Sequence, residues 1–214
     1  MPACDRRLVF ITDRRLSAGD LAERTGQVLA GGAGRIILRE KDLPAEAYLD
    51  LAQKIQSLAE KYSAELILHS HPGLVSRTGA QGVHLTQALM LAGCSQNPPA
   101  WPDCPFGVSV HSLAEARLAE AAGAGWLLAG PVFPTKCKPG ASGNGLQFIE
   151  ELAEKTACEI WAVGGLRPEN LPAVLRAGAS AVCLRSPFME EADPEALAAG
   201  CLKAIRQPDR RQPD

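Results

Sequence analysis

Two cationic residues, Arg39 and Lys41, are separated by one glutamate and follow an apolar run of the sequence. Along an extended chain alternate side chains point the same way, so Arg39 and Lys41 would face one side and Glu40 the other. Two cations on one side form an anion site if that side borders a ligand. The alternative is a charged loop exposed to solvent, and the tripeptide alone does not decide between the two.

Three further segments have compositions that suit the binding of a phosphate group. The segment GPVFPTKCKPG at 130–140 combines a threonine and two lysines with flanking glycines, and backbone N–H groups in such loops can bind anions. Gly164-Gly165 and Arg185-Ser186 each follow a later apolar run. Glycine permits a close approach of backbone to ligand, and a helix N-terminus attracts anions. The alternative is a set of tight turns, but position and composition together favour phosphate.

The four histidines offer a different chemistry. His69 and His71 lie two residues apart, so they could face one way and bind a metal or move protons near neutral pH. No third ligand is evident from the spacing, and no metal site is predicted. His84 and His111 are interpreted as hydrogen-bonded structural groups.

These residues can act together only if the elements that carry them converge. Short apolar runs alternate with amphipathic stretches along the chain. The predicted strands are 8–11, 35–39, 65–69, 82–85, 106–109, 126–129, 159–163 and 181–184, and the predicted helices are 17–30, 44–62, 112–122, 146–155, 168–177 and 194–205. Strands that alternate with helices pair in parallel through right-handed crossovers. Eight such units predict a single α/β domain over 1–205, a closed (β/α)₈ TIM barrel whose function resides on the loops after the strands.

Glycine and proline positions refine this architecture. Gly-Ala pairs at 79–80, 123–124 and 178–179 precede strands, where a left-handed glycine ends a helix. Residues 72–78 are too few for a full helix, and the four prolines of 93–105 predict a connection that is mostly loop. The polar tail 206–214 is predicted to be disordered. A doubly wound open sheet is the structural alternative, but no GxGxxG segment follows the first strand.

Composition limits the classes of partner. Lys and Arg number 22 and Asp and Glu 24 among 214 residues, and this balance indicates neither a nucleic-acid partner nor a membrane surface. No apolar run approaches the ~20 residues of a membrane span, and the N-terminus lacks an apolar signal core. The seven cysteines match no zinc spacing and are predicted to be free thiols in a reducing cytosol. A cytoplasmic protein is expected.

Six segments, taken together, resemble the thiamine phosphate synthase/TenI family. They are REK at 39–41, GVHLTQ at 82–87, GVSVHSLAEA at 107–116, GPVFPTKCKPG at 130–140, AVGGLRPEN at 162–170 and GASAVCLRS at 178–186. The resemblance implies a (β/α)₈ barrel that binds phosphorylated thiazole and pyrimidine small molecules. The synthase of this family joins a pyrimidine methyl diphosphate to a thiazole phosphate and releases diphosphate, with magnesium.

The resemblance also implies roles for individual residues. Arg39, Lys41 and Lys138 would face the diphosphate, and Ser109 would lie near the pyrimidine. Around the thiazole phosphate would lie Thr135, Gly165, Arg185 and Ser186, with Cys137 and Gly164 in the same loops. The expected catalytic residues are Lys138, Arg39, Lys41, His69 and His71. A leaving diphosphate carries several negative charges, so cations held in place assist bond cleavage.

Three positions depart from the family pattern. Ser70 and Leu89 stand where the resemblance implies the magnesium-binding aspartates, and neither offers a carboxylate. Magnesium is therefore expected only if synthase activity is retained. In the TenI branch, whose described activity is thiazole tautomerase, the proton-transferring histidine aligns with Pro131. His69 or His71 would have to replace it.

The sequence leaves several functions open. The chain is expected to be an enzyme, either a synthase-type transferase or a thiazole tautomerase, and the alternative is a non-catalytic regulatory barrel that kept the phosphate-binding residues. A barrel acting on indole or sugar phosphates would carry carboxylates at its strand ends, where this chain has few, such as Asp13. The oligomeric state is also open, and a homo-oligomer is one alternative because barrels of this family commonly associate.

Overall fold

A closed barrel of eight parallel strands, joined in chain order, forms the centre of the protein. The computed structural model describes residues 4–17, 19–96, 103–135 and 142–207. The strands are β1 (Asp5–Ile11), β2 (Ala33–Leu38), β3 (Glu65–His69), β4 (Gly82–Leu85), β5 (Phe106–Val110), β6 (Trp126–Ala129), β7 (Glu159–Val163) and β8 (Ala181–Leu184). The predicted (β/α)₈ barrel is confirmed. The disordered tail predicted for 206–214 lies outside the described residues from 208 onward.

Helices follow the strands and cover the outside of the barrel. They are α1 (Leu21–Ala30), α2 (Ala45–Lys61), α3 (Val75–Thr78), α4 (Gln87–Cys94), α5 (Leu113–Ala121), α6 (Gly145–Lys155), α7 (Leu171–Arg176), α8 (Ser186–Glu190) and α9 (Pro194–Arg206). Two 3₁₀ turns, Arg14–Leu16 and Pro72–Leu74, complete the described helical segments. None of the helices in this part of the chain has the length and apolar character needed to cross a membrane.

Capping residues explain where several helices begin. The side chain of Asp20 accepts hydrogen bonds from the backbone N–H groups of Ala22 and Glu23, so α1 begins at Leu21 rather than at residue 17. Ser112 caps α5 by accepting from the N–H of Glu115 at 3.2 Å, as the capping pattern predicts.

Three of the described helices were not among those predicted from the sequence. One is α3, a single turn over Val75–Thr78, in a segment predicted to be too short for a full helix. Thr86 accepts from the N–H of Leu89 and starts α4 within the connection between β4 and β5. The helix α8, about one and a half turns long, follows β8 and precedes α9. All three helices are short, so their apolar spacing gives little periodic signal.

Glycines of the three Gly-Ala pairs turn the chain from a helix back into the barrel. Gly79, Gly123 and Gly178 have φ angles of 74°, 90° and 101°. These left-handed conformations cost glycine little and other residues more. The pairs therefore serve the architecture, as predicted.

The barrel interior is filled with side chains on the N-terminal side and open on the other. Its apolar residues are Val9, Ile11, Ile37, Ile67, Trp126, Trp161, Ala181 and Cys183. The indole rings of Trp126 and Trp161 stack with centroids 4.8 Å apart. Below them, Arg35 lies over the Trp161 ring at 4.7 Å and donates to Glu65 at 2.7 Å. Because this end is closed by packing and ion pairing, a ligand can enter only from the carboxyl ends of the strands.

The cysteines of the described ranges form no disulfide bond. The six cysteines in them are free, and Cys183 and Cys201 are buried. Burial raises the pKa of both thiols. These two thiols are therefore protonated packing groups.

Replacement of Gly107 on β5 is predicted to destabilise the protein for a steric reason. A Cβ at this position would collide with the indole ring of Trp126, whereas a Cβ at Gly26, within α1, would meet no other atom. We expect Gly107→Ala to lower the free energy of unfolding by about 1–3 kcal/mol through overpacking. The matched control Gly26→Ala should raise it by roughly 0.5–1 kcal/mol through helix propensity.

Urea denaturation of both variants gives the measurement. Equal stability of the Gly107→Ala variant and the unmodified protein would contradict the packing of the Trp126 ring against β5.

Candidate active site

A cleft of about 940 Å³ opens at the carboxyl ends of the barrel strands. Eight of the residues predicted from the sequence line it: Arg39, His69, Ser109, Thr135, Gly164, Gly165, Arg185 and Ser186. Lys41 is exposed beside the cleft. Cys137 and Lys138 lie outside the described residues. The structure therefore brings most of the predicted residues to one opening, although they come from six different strand ends.

Asp13, which follows β1, is the carboxylate around which one side of the cleft is organised. Its side chain is only 7% exposed and contacts three guanidinium groups. Arg15 Nε lies 3.2 Å from Oδ1, while Arg39 Nη1 and Arg185 Nη1 lie 3.3 Å and 3.6 Å from Oδ2. Sequence reasoning noted Asp13 only as a strand-end carboxylate. The predicted barrel brings the ends of β1, β2 and β8 together, but the sequence does not show which of their side chains meet.

Like charges crowd this side of the cleft. The pKa of Arg39 is lowered, first by burial and then by the neighbouring charge of Arg185. The pKa of Lys41 is also lowered, mainly by the charge of Arg39. The mutual repulsion of these cationic groups would be relieved by a bound anion.

Glu40 faces away from Arg39 and Lys41, toward the chain after β1. It is buried, and its Oε1 accepts from the Thr12 hydroxyl at 2.6 Å. Arg14 donates to Glu40 through its backbone N–H and its guanidinium. The same Thr12 oxygen accepts from the backbone N–H of Arg39 at 2.9 Å, so this network fixes the backbone that carries Arg39.

The opposite side of the interior carries two buried histidines and a serine. His84 Nε2 and Ser109 Oγ are hydrogen bonded at 2.8 Å, and no partner contacts His84 Nδ1 among the described residues. A buried unpaired acceptor is tolerated better than a buried unpaired N–H. This favours the tautomer with the proton on Nε2, which donates to Ser109. The Ser109 O–H is then free to donate to a ligand in the cleft.

Both of these histidines are neutral. Burial lowers the pKa of His84 to about 3, with a smaller contribution from His69. Burial, followed by the charges of Arg39 and Lys41, lowers the pKa of His69 to about 3. His69 Nδ1 pairs with Ser70 Oγ at 2.8 Å. An imidazole in this state is a hydrogen-bonding group rather than a proton carrier at pH 7.

His71 does not share the environment of His69. Ser70 has a φ angle of 65°, which interrupts the extended chain between the two histidines. The His71 ring instead packs on Tyr48, with centroids 4.0 Å apart, and His71 is not among the residues that line the cleft. The spacing in the sequence could not reveal this turn, because a left-handed serine has no distinct signal.

The loops after β6 and β7 pack closely against each other at the third side of the cleft. Gly164 and Gly165 have φ angles of 102° and 67°. A Cβ on Gly164 would collide with Pro131, and one on Gly165 with Phe133 and Pro134. The N–H of Phe133 donates to the carbonyl of Gly164 at 3.1 Å. Glycine is therefore required here for both conformation and close packing.

The described residues do not fit a magnesium ion. They contain no group of three or more His, Cys, Asp or Glu side chains that could hold a metal. Ser70 is paired with His69, and Leu89 lies on α4 with 43% of its surface exposed. Asp13 is surrounded by guanidinium groups, and a divalent cation would be repelled there.

Comparison with known proteins identifies the family of the chain. A sequence profile described as thiamine monophosphate synthase matches residues 8–188. The chain belongs to the thiamine monophosphate synthase family. It is 33% identical over 206 residues to the thiamine-phosphate synthase of Desulfitobacterium hafniense (strain Y51), covering 95% of this chain and 99% of that one. It is 30% identical over 210 residues to that of Shouchella clausii (strain KSM-K16), covering 94% and 97%.

Solved structures share the fold of this chain. Thiamine phosphate pyrophosphorylase from Pyrococcus furiosus matches with a TM-score of 0.81 at 28% identity, covering 94% of this chain and 95% of that one. A 3-hexulose-6-phosphate synthase matches with a TM-score of 0.67 at 18% identity, covering 93% and 99%, a likeness of fold alone. The homologues named thiamine-phosphate synthase support a transferase-type enzyme within this family.

The neutral histidines predict a pH dependence of stability. The unfolded chain binds a proton at each histidine near pH 6.5, whereas the folded chain does so only near pH 3. The unfolded state therefore binds more protons between these values, and the free energy of unfolding falls as the pH falls through this window. From pH 7 to pH 5 we expect a loss of about 2 kcal/mol for each of His69 and His84.

Urea denaturation at the two pH values measures this loss. The variant His84→Asn should lose less stability on acidification than the unmodified protein. NMR titration gives a second measurement that does not depend on a variant. Titration of either buried imidazole between pH 6 and pH 8 would contradict the described environment.

Proposed function

We propose that this family member transfers a pyrimidine methyl group from its diphosphate ester to the ring nitrogen of a thiazole phosphate. The C–O bond to the diphosphate breaks, a C–N bond forms, and the products are thiamine phosphate and diphosphate. The observation that supports this best is the arrangement of charge around one cleft. Arg39 and Arg185 lie on one side and Ser109 on another, with the loops of Thr135 and Gly165 on the third.

The cationic side suits the leaving diphosphate. Negative charge develops on the bridging oxygen as the C–O bond breaks, and cations fixed in a partly desolvated cleft stabilise it. Arg39 and Lys41 are the groups proposed for this role, together with Lys138, which the resemblance assigns to the same ligand. Because Thr12 and Asp13 hold Arg39 in place, little reorganisation is needed during the reaction.

Ser109 is proposed to orient the pyrimidine. Its hydroxyl accepts from His84, so its own proton can be donated to a ring nitrogen. The glycine loop and Thr135, with Ser186 after β8, are proposed to hold the thiazole phosphate. These two groups of residues would present the thiazole nitrogen to the methylene carbon.

A thiazole tautomerase is the second candidate within the family. Pro131 lines the cleft but has no proton to transfer, and the imidazoles that line it are those of His69 and His111. A proton shuttle works best when its pKa is near the working pH, whereas the pKa of His69 is about 3. This argues against His69 as the proton shuttle of a tautomerase.

Incubation with the pyrimidine methyl diphosphate and the thiazole phosphate, with and without magnesium, tests the proposal. We expect thiamine phosphate as the product. Thermal stabilisation by thiazole phosphate without any product would instead support a non-catalytic binding protein. Tautomerisation of a thiazole carboxylate phosphate that is lost in a His69→Ala, His71→Ala double variant would support the second candidate.

The variant Arg39→Gln tests the role of the cationic side. Loss of one fixed donor to the leaving group should lower kcat/KM about 10²–10³-fold. The matched control Arg117→Gln removes the same charge from an exposed position on α5, and its kcat/KM should stay within about twofold of the unmodified value. Equal activity of the two variants would contradict the proposed role of Arg39.

A further inference from the structure

The guanidinium groups around Asp13 are incompletely paired. Arg39 and Arg185 share a single oxygen of this carboxylate, at 3.3 Å and 3.6 Å. Charge-assisted N–H···O bonds are usually about 2.7–2.9 Å long. Each guanidinium has five N–H donors, so one shared acceptor leaves most of them available.

Arg14 provides an internal comparison from the same region. It donates to both carboxylate oxygens of Asp42 at 2.8 Å and also contacts Glu40 at 3.2 Å. This is the bidentate geometry of a fully paired arginine. Arg14 is therefore structural, whereas Arg39 and Arg185 keep donors for a ligand.

The surrounding carboxylates leave an excess of positive charge. Arg15, Arg39, Lys41 and Arg185 form a group that we name the cation cluster, and Asp13 is the buried carboxylate in contact with it. Glu40 and Asp42 are engaged by Arg14. The other carboxylates that line the cleft, Glu169, Glu190 and Glu191, are exposed, so solvent screens their charge.

The position of Arg185 differs from the role that the resemblance implies for it. Its guanidinium reaches Asp13 and stands beside Arg39, on the diphosphate side of the cleft. The charge of Arg185 also lowers the pKa of both Arg39 and Lys41, which requires it to be near them. Ser70 and Leu89, by contrast, offer no carboxylate where the family pattern implies magnesium ligands.

We propose that Arg15 and Arg185 complete a diphosphate site with Arg39 and Lys41 that requires no divalent cation. The guanidinium groups supply the positive charge that magnesium supplies to a synthase with the two aspartates. Asp13 holds the three guanidinium groups together in the free protein, and two of them, those of Arg39 and Arg185, line the cleft. This inference rests on the proposed function, because it takes the substrate's diphosphate as the ligand.

Calorimetric titration with inorganic pyrophosphate tests the site. In buffer containing EDTA, the unmodified protein should bind pyrophosphate. Excess magnesium should weaken this binding, because the magnesium–pyrophosphate complex carries less negative charge. Arg185→Gln should raise the Kd about 10-fold or more, as expected for loss of a hydrogen bond to a charged group.

Two further variants complete the experiment. Arg15→Gln removes a more exposed member of the cluster, 58% exposed, and should raise the Kd by about threefold. It also decides the matter if Arg185→Gln does not fold, which circular dichroism will show. Arg117→Gln is the matched control, and its Kd should stay within about twofold of the unmodified value. Binding that needs magnesium, no binding at all, or an unchanged Kd in the cluster variants would overturn the proposal.

The outcome can be separated from that of the proposed function. Product formation that stops when EDTA removes magnesium would overturn the metal-free site and leave the transferase proposal intact. Metal-free pyrophosphate binding without any product would support the site and contradict the transferase proposal.

Discussion

Hydrogen bonding between β1 and β8 closes the sheet, and the geometry of the cleft depends on this closure. Leu8 pairs with Val182 and Phe10 with Leu184, while Ile11 pairs with Ile37 on the other neighbour. The ends of β1, β2 and β8 are thereby held side by side. Arg39 and Arg185, far apart in the chain, thereby reach one oxygen of the Asp13 carboxylate, at 3.3 Å and 3.6 Å. An open sheet would leave β1 and β8 on separate edges and divide this group.

The two ends of the barrel interior have different tasks. Stacked indoles and the Arg35–Glu65 pair fill the N-terminal end, where apolar burial and ion pairing stabilise the fold. Toward the other end the packing gives way to polar groups, beginning with His84 and Ser109. Because the N-terminal end of the interior is filled with side chains, these polar groups face a partly desolvated space. Charges act more strongly there than they would in bulk water.

Asp13 reduces the repulsion between the cations that border the cleft. Several cations close together repel one another, and burial of Arg39 adds to the cost. One buried carboxylate offsets part of this repulsion without consuming all of the donors. The folded protein therefore keeps a site with unsatisfied positive charge, which a multiply charged phosphate ligand can complete. Stability and ligand binding in this region rest on the same side chains.

The sequence by itself determined the order of strands and helices, the closed barrel and the loops that carry polar groups. Apolar runs, Gly-Ala turns and a capping serine are local signals, and they specify local structure wherever tertiary contacts do not oppose them. The sequence could not separate His69 from His71, because the left-handed conformation of Ser70 between them has no distinct signal in the sequence. Nor could it reveal Asp13 as the centre of the cation cluster. That role arises from contacts between strand ends far apart in the chain, which exist only once the barrel is closed.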